Sequence, residues 1–484
     1  MTLAPLFLPN RATAVYSLPD MEADTLILDI DWLITVDGER RVIRDAGIAI
    51  AGGKFQAVGK SADIVRAWTA KATLNARSRV ALPGLIDSHL HSSFQLARGL
   101  ADEVGTRPFL FEHMFPYEGA MTEEDVHVSA LFAAMSLLRC GVTCFIDPGN
   151  YHPAATGRAA LAAGMRAVLG RSAFDMTKAV LGILPPVMIE TTGEALERSS
   201  ALLDWVAAQK NPRLRANVSF RGLSNSSDKL IEGCKELAQK HGCMLQTHAC
   251  FNYSTHDDSL ANFGVPEIER LERLGVLDEQ TLLVHSGWLE PREVEIVARR
   301  RPCLVAAPSS SLHNGYGNFA RGRLPELMER GVNVGIGSDH ACSGITDLVQ
   351  EMFLFAGTYK EIHMNPRVVP PEQVVEMATI NGARCAGMAA EIGSVEAGKN
   401  ADLVLFDATY PEWQPLFNPV SNLVYSATGN SVADVFVGGD RVVRDGRLTK
   451  LDETEVLEQV AATMGRIASK LDIPKLVKLR WPVS

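Results

Sequence analysis

Five side chains able to bind a metal or move a proton stand at the ends of short apolar runs in this 484-residue chain. His89 and His91 end LIDSHLH, His248 ends CMLQTHA, His285 lies in TLLVHSG, and Asp339 ends VNVGIGSD. In extended backbone, residues i and i+2 face the same way, so the two imidazoles of the HLH segment point together. Three neutral imidazoles and a carboxylate make a borderline-hard site for Zn2+ or Fe2+ with room left for water. One histidine alone is most simply a hydrogen-bonded core or surface residue. An HxH with two further histidines and an SDH segment, all at strand ends, is a constellation that points to a site.

Side chains so distant along the chain meet only if the elements carrying them converge. The runs at 85–91, 143–147, 166–171, 214–220, 243–249, 281–287, 303–309 and 332–339 alternate with helical stretches such as SALFAAMSLLRCG and LIEGCKELAQKHG. Each run is too apolar to leave a wet face. Eight of them alternating with helices predict an α/β fold, a closed (β/α)8 TIM barrel, whose active site assembles at the C-terminal strand ends. A doubly wound sheet competes, but it does not naturally use eight strands flanked by β segments from both termini.

Short apolar runs between Thr25 and Val80, punctuated by glycine and aspartate, predict β-hairpins, and the same texture returns in IGSVEAGKNADLVLFD and VADVFVGGDRVVRDG. The two flanks are expected to form one small β-sandwich. The expected division is 1–82 for its N-terminal part, 83–391 for the barrel, and 392–484 for its C-terminal part with a terminal helix. The first 20 residues are expected to form an extended arm. GGKFQAVGKS has five residues between Gly53 and Gly59, one too many for a phosphate loop, and is a hairpin turn.

Lysine plus arginine number 47 and aspartate plus glutamate 57, a net charge of −10. So acidic a surface argues against nucleic-acid and membrane-surface partners, which need a basic face. No apolar run reaches the ~18 to 20 residues of a membrane span, and the N-terminus lacks the pattern of a secretory signal. The eight cysteines form no CxxC pair or regular framework, as in a reduced, cytoplasmic protein. The expected partner is a small-molecule substrate.

The segments LPGLIDSHLHSSFQLARGL, GVTCFID, THAC, VHSG and GSDHACSG, with the C-terminal ATINGARCAGMAAEIGSVEAGKNADLVLFD, resemble the amidohydrolase superfamily from about Asp24 to Gly446. Within it the chain is most similar to the cytosine-deaminase, triazine-hydrolase and chlorohydrolase branch. The resemblance implies that His89, His91, His248 and Asp339 hold one divalent ion, Zn2+ before Fe2+. His285 would orient water or the reacting carbon–oxygen group. It also implies a homo-oligomer, dimer or higher. Binuclear members bridge two metals with a carboxylated lysine at the end of the fourth strand. Here that strand end reads Asn217-Val218-Ser219-Phe220-Arg221, and a guanidinium cannot form the carbamate, so one metal is expected. Asp339 would take the proton of the activated water and pass it to the leaving nitrogen.

The chain departs from this pattern at informative places. Ring deaminases of the branch carry a glutamate three residues after the fifth-strand histidine, and here that residue is Phe251. PSSSLHN stands after the seventh strand and SFRG at the end of the fourth, where relatives show NPxSN-like and PHxP-like segments. Attack on an aromatic ring carbon calls for protonation of a ring nitrogen, whereas an amide, urea or carbamate needs only a polarised oxygen and a protonated amine. The residues therefore favour hydrolysis of a linear carbon–nitrogen bond, as in the phenylurea and thiocarbamate hydrolases. Deamination or dechlorination of an N-heterocycle is the alternative, and a metal-free scaffold a remote third. His256 could stand in for the missing glutamate if its loop folds back. Phe251, with Phe109, Phe111 and Met114, could line an apolar pocket, and His313 and His340 could reach substrate from the rim, although His340 is expected to point away from the metal.

Overall fold

The structure is a computed structural model describing residues 21–176, 184–342, 344–477 and 479–482. The expected N-terminal arm, residues 1–20, lies outside the described residues.

Eight strand positions form the predicted barrel. They are Leu85–Asp87, Val142–Asn150, Arg166–Arg171, the pair Leu214–Ala216 and Val218–Gly222, then Leu245–Ala249, Thr281–His285, Cys303–Ala306 and Val334–Ile336. Neighbours run parallel throughout. The fourth strand breaks at Asn217, whose amide bonds Leu169 O at 2.8 Å while Val218 N turns to Met244 O at 3.0 Å. The cylinder closes between its first and eighth strands. There Ser88 N donates to Ile336 O at 2.9 Å, Asp339 N to His89 O at 2.8 Å, and His91 N to Asp339 O at 2.7 Å.

The outer helices lie on the barrel through narrow apolar stripes. In the helix Asp228–His241 the buried residues Leu230, Ile231, Cys234 and Ala238 recur at helical spacing. Ser227 caps its start by accepting from Leu230 N, and Gly242 ends it at φ 64°.

The terminal β segments do meet in one small β domain, as expected, its nine strands hydrogen-bonded in a continuous sheet. The cause is the long first strand, Met21–Ile34. One edge pairs with Val42–Ala51, while the other pairs with Trp68–Asn75 and then Arg79–Pro83. Changing partner along one edge bends the sheet over a core of its own that includes Ile27, Leu33, Ile48, Phe55, Leu405 and Phe436. The C-terminal strands join where Leu403–Asp407 runs antiparallel to Arg79–Pro83. The terminal helix Glu453–Ala468 packs instead on the barrel helix Glu123–Arg139, through Val456 and Ile467 and an Arg466–Asp125 ion pair at 2.7 Å. Among the described residues no helix is long and apolar enough to cross a membrane.

A buried ion pair ties barrel to sheet. Arg166 donates Nε to Asp402 Oδ2 at 2.7 Å and Nη2 to Oδ1 at 3.0 Å. Removing one partner strands the other charge in a dry interior, which costs about 3–5 kcal/mol. Arg166→Met is therefore expected to lower unfolding free energy by that amount in urea titrations. Turnover per folded molecule should hold, because Arg166 begins its strand at the barrel end opposite the histidine cluster.

Candidate metal centre and active site

The loops after the fifth, sixth and eighth strands hold their side chains by unusual backbone. Cys250, His285, Ser286 and Asp339 all have positive φ, at 51°, 77°, 48° and 62°. Such conformations cost of order 1–3 kcal/mol each in non-glycine residues and persist only where surrounding contacts enforce them. One enforcing group is Asp87, which accepts from Ser338 Oγ at 2.6 Å, Ser338 N at 3.1 Å and His89 N at 3.2 Å. Burial raises this carboxyl to about 6, against the opposing pull of those hydrogen bonds. Gly337 is the second enforcing feature. A Cβ there would lie 2.7 Å from both N and O of His89, so only glycine lets the eighth strand come this close.

The five predicted side chains converge. His91 Nε2 and His248 Nε2 are 3.2 Å apart, and Asp339 Oδ1 stands 3.3 Å from His89 Nε2 and 3.6 Å from His91 Nε2. Tetrahedral donors at the usual zinc–ligand length of ~2.0–2.1 Å are separated by roughly 3.3 Å, so these spacings fit one ion. Both nitrogens of His89, Nδ1 of His91 and of His285, and Asp339 Oδ1 are buried without a hydrogen-bond partner. Polar atoms sealed in this number without a partner suit a bound cation, which would take the lone pairs that no donor reaches. His248 Nδ1 lies 2.6 Å from the Arg221 carbonyl, which can only accept, so the proton is on Nδ1 and Nε2 carries the lone pair.

The electrostatics agree. Burial, reinforced by neighbouring imidazoles, holds His91 and His248 well below the ordinary histidine range, and burial brings His285 to about 4. For Asp339 burial pushes upward, but His340, His89 and His285 outweigh it and keep the carboxylate well below its usual range. At neutral pH His91, His248 and His285 are therefore uncharged beside the Asp339 carboxylate. Ser310 Oγ donates to Asp339 Oδ2 at 2.7 Å, and His285 Nε2 lies 3.9 Å from that same oxygen.

A cavity of about 300 Å³ opens onto the cluster. Phe251 lines it, 5.7 Å from the His285 ring and 5.6 Å from Tyr316, and Phe109 and Phe111 contribute as expected. Met114 is buried behind this wall, its sulfur 3.5 Å from Cys342 Sγ. His340 differs from expectation. The left-handed turn at Asp339 folds it back, so that its Nε2 is 3.4 Å from Asp339 Oδ2 and its ring 4.9 Å from Phe109. His256 does not face the cavity. Its expected loop is a helix, Tyr253–Phe263, whose residues 254, 258, 261 and 262 line the cavity and turn residue 256 toward Glu290, 3.9 Å away. His313 ends the helix Pro308–Asn314 at the surface, 3.3 Å from Asp102, and does not line the cavity.

Arg221 and Glu267 are two of several lining residues that the sequence did not assign to the site. Arg221 follows the fourth strand's inward residues, and its guanidinium donates to Glu118 at 2.9 Å and Ser172 at 3.1 Å over the faces of Phe94 and Phe115. Its place at a barrel strand's C-terminal end was the available signal. Glu267, in the helix Glu267–Arg273, had none, because VPEIERL reads as an ordinary charged helix start.

A parallel barrel gathering buried imidazoles and a carboxylate at its C-terminal mouth is the scaffold of a metal-assisted hydrolase. The chain belongs to the amidohydrolase family, which it matches over residues 80–442. It is 32% identical over 440 residues to a 5-methylthioadenosine/S-adenosylhomocysteine deaminase of Syntrophobacter fumaroxidans, covering 90% of this chain and 97% of that protein. Its fold superposes on a zinc-bound adenosine deaminase of Xanthomonas campestris with TM-score 0.87 at 25% identity, covering 93% and 100% of the two chains. An atrazine chlorohydrolase of Arthrobacter aurescens, solved with zinc, superposes with TM-score 0.81 at 22% identity, covering 91% and 100%. The protein is a hydrolase of carbon–nitrogen bonds other than peptide bonds.

Gly337→Ala should push His89 out of register and weaken ion retention by about tenfold or more, read by plasma mass spectrometry after dialysis against a graded chelator. Gly59→Ala, where the added carbon meets nothing within 4 Å, should leave ion content unchanged.

Proposed function

We propose that this protein is an aminohydrolase of a planar N-heterocycle, replacing an exocyclic amino group on a ring carbon by oxygen. The observation that carries the reading is the cavity: about 300 Å³, walled by aromatic faces and ending on the histidine–aspartate cluster. A flat ring stacks well against such walls, and the volume is at the lower end of small-molecule sites. The deaminase activity named for the 32%-identical relative supports the same reading over the linear amide, urea or carbamate that the residues alone favour.

In this proposal His89, His91, His248 and Asp339 hold one divalent ion, Zn2+ before Fe2+, since no lysine lines the cavity among the described residues to bridge a second. The ion supplies Lewis acidity, which brings the ionisation of a water into the neutral range. Asp339 accepts the water's proton, because its carboxylate stays ionised at every working pH, and returns it to the departing amino nitrogen. Ser310 and the left-handed backbone fix the direction of that carboxylate. His285, neutral at working pH, donates to or orients the attacking oxygen beside Asp339 Oδ2. Phe251, Phe109 and Phe111 exclude water and seat the ring.

The test is a screen of aminated purines, pyrimidines and triazines beside anilides and phenylureas, with ammonia and released arylamine assayed separately. Ammonia with an intact ring is the expected product. Arylamine release without ammonia would overturn the reading in favour of the linear substrate, to which Phe251 is the pointer. In the active assay Asp339→Asn is expected to lose at least about a thousandfold in kcat with an unchanged circular-dichroism spectrum.

A further inference from the structure

Attack of water on an aromatic ring carbon places charge on the neighbouring ring nitrogen, and a proton must reach that atom. Among the described residues lining the cavity there are three carboxyls: Asp258, Glu267 and Asp339. Asp258 is held by Arg107 at 2.6 Å near the mouth, and Asp339 is committed to the cluster and the water's proton. Glu267 is left. It comes from the helix Glu267–Arg273 and is buried. It reaches under the loop that leaves the fifth strand, where Oε2 accepts from Cys250 N and from Thr255 Oγ1, the latter at 3.3 Å. The Cys250 thiol is a further hydrogen-bond partner of this carboxyl, which also lines the cavity. The carboxyl is thus anchored beside the strand that carries His248 while it lines the cavity.

We infer that Glu267 is the general acid of this site, delivering the ring proton that Phe251 cannot. The inference rests on the aminohydrolase reading above. The step balances as follows. The water oxygen bonds to the ring carbon while its proton passes to Asp339, and the carboxyl proton of Glu267 passes to the ring nitrogen. Asp339 then protonates the amino group, the exocyclic C–N bond breaks, and ammonia leaves. The remaining hydroxyl proton returns to Glu267 as the ring carbonyl forms, so both carboxyls end as they began.

The surroundings suit this role. Burial, with the carboxyl of Glu293 alongside, raises Glu267 to about 7, where a carboxyl can both give and regain a proton near neutrality. Glu293 is itself tied to the amides of Ile268 and Glu290, both at 2.9 Å, which leaves Glu267 as the movable proton of the pair.

Glu267→Gln is the decisive variant. The amide keeps an acceptor for Cys250 N and removes a charge that burial disfavours, so the fold should tolerate it. On an aminoheterocycle turned over by the wild type, kcat is expected to fall about a hundredfold or more with KM within threefold, and Glu267→Asp should fall less. Adding Phe251→Glu to Glu267→Gln places a carboxyl at another position that lines the cavity and is expected to restore at least a tenth of the lost rate. A merely structural carboxylate at 267 would not be replaced in this way. Turnover by Glu267→Gln within threefold of wild type overturns the inference, as does a loss that Phe251→Glu leaves untouched. Failure of the underlying reading shows separately, in the wild type releasing ammonia from no aminoheterocycle at all.

Discussion

A knot of buried histidines and one aspartate at the barrel mouth sets the terms for the rest of this molecule. Nε2 atoms of His91 and His248 approach to 3.2 Å with both rings neutral, and a carboxylate oxygen sits within 3.6 Å of two imidazole nitrogens. In water such groups would turn away or take up protons. Here burial holds the rings neutral and close, an arrangement that a cation bound among them would stabilise. Much of the rest of the structure maintains that condition. Asp87 binds the first and eighth strands together, Gly337 lets them approach, and Ser310 and the Arg221 carbonyl fix the orientation of Asp339 and His248.

Around this polar centre the cavity is apolar, and its few charges are arranged in pairs or left to act. Arg221 and Glu118 satisfy one another against aromatic rings, and Arg107 and Asp258 join the segment over the cavity to the helix Tyr253–Phe263. The low dielectric that keeps the imidazoles neutral also raises carboxyls without a cationic partner, Glu267 among them. One burial thus holds two kinds of group: a carboxylate below its usual range among hydrogen-bond donors and imidazoles, and a carboxyl raised for want of a counter-charge. That separation is what acid–base chemistry at neutral pH requires.

The barrel was legible because each of its strands is apolar on both faces and each is followed by a helical stripe, patterns that survive in a single sequence. The cluster was legible because its members occupy strand ends, and strand ends in a barrel share one mouth. The histidines outside strands were not. His256 depended on whether residues 253–263 form a loop or a helix, and once the helix forms, its 100° step sends residue 256 away from the cavity. His340 depended on the sign of one dihedral angle at Asp339. The strand order of the β domain was not legible either, because one long strand changes partner partway along its edge, which strand-by-strand reading does not reveal.

The sequence by itself therefore determined the class of fold, the donor atoms and the end of the barrel at which they gather, since all three follow from residue type and local period. Only the tertiary structure decided the distances among those donors, the walls of the cavity and the arrival of Glu267. Those depend on contacts between segments far apart in the chain, such as Glu267 with Cys250, and local periodicity carries no information about where a helix on the outside of a barrel will put a carboxyl on the inside.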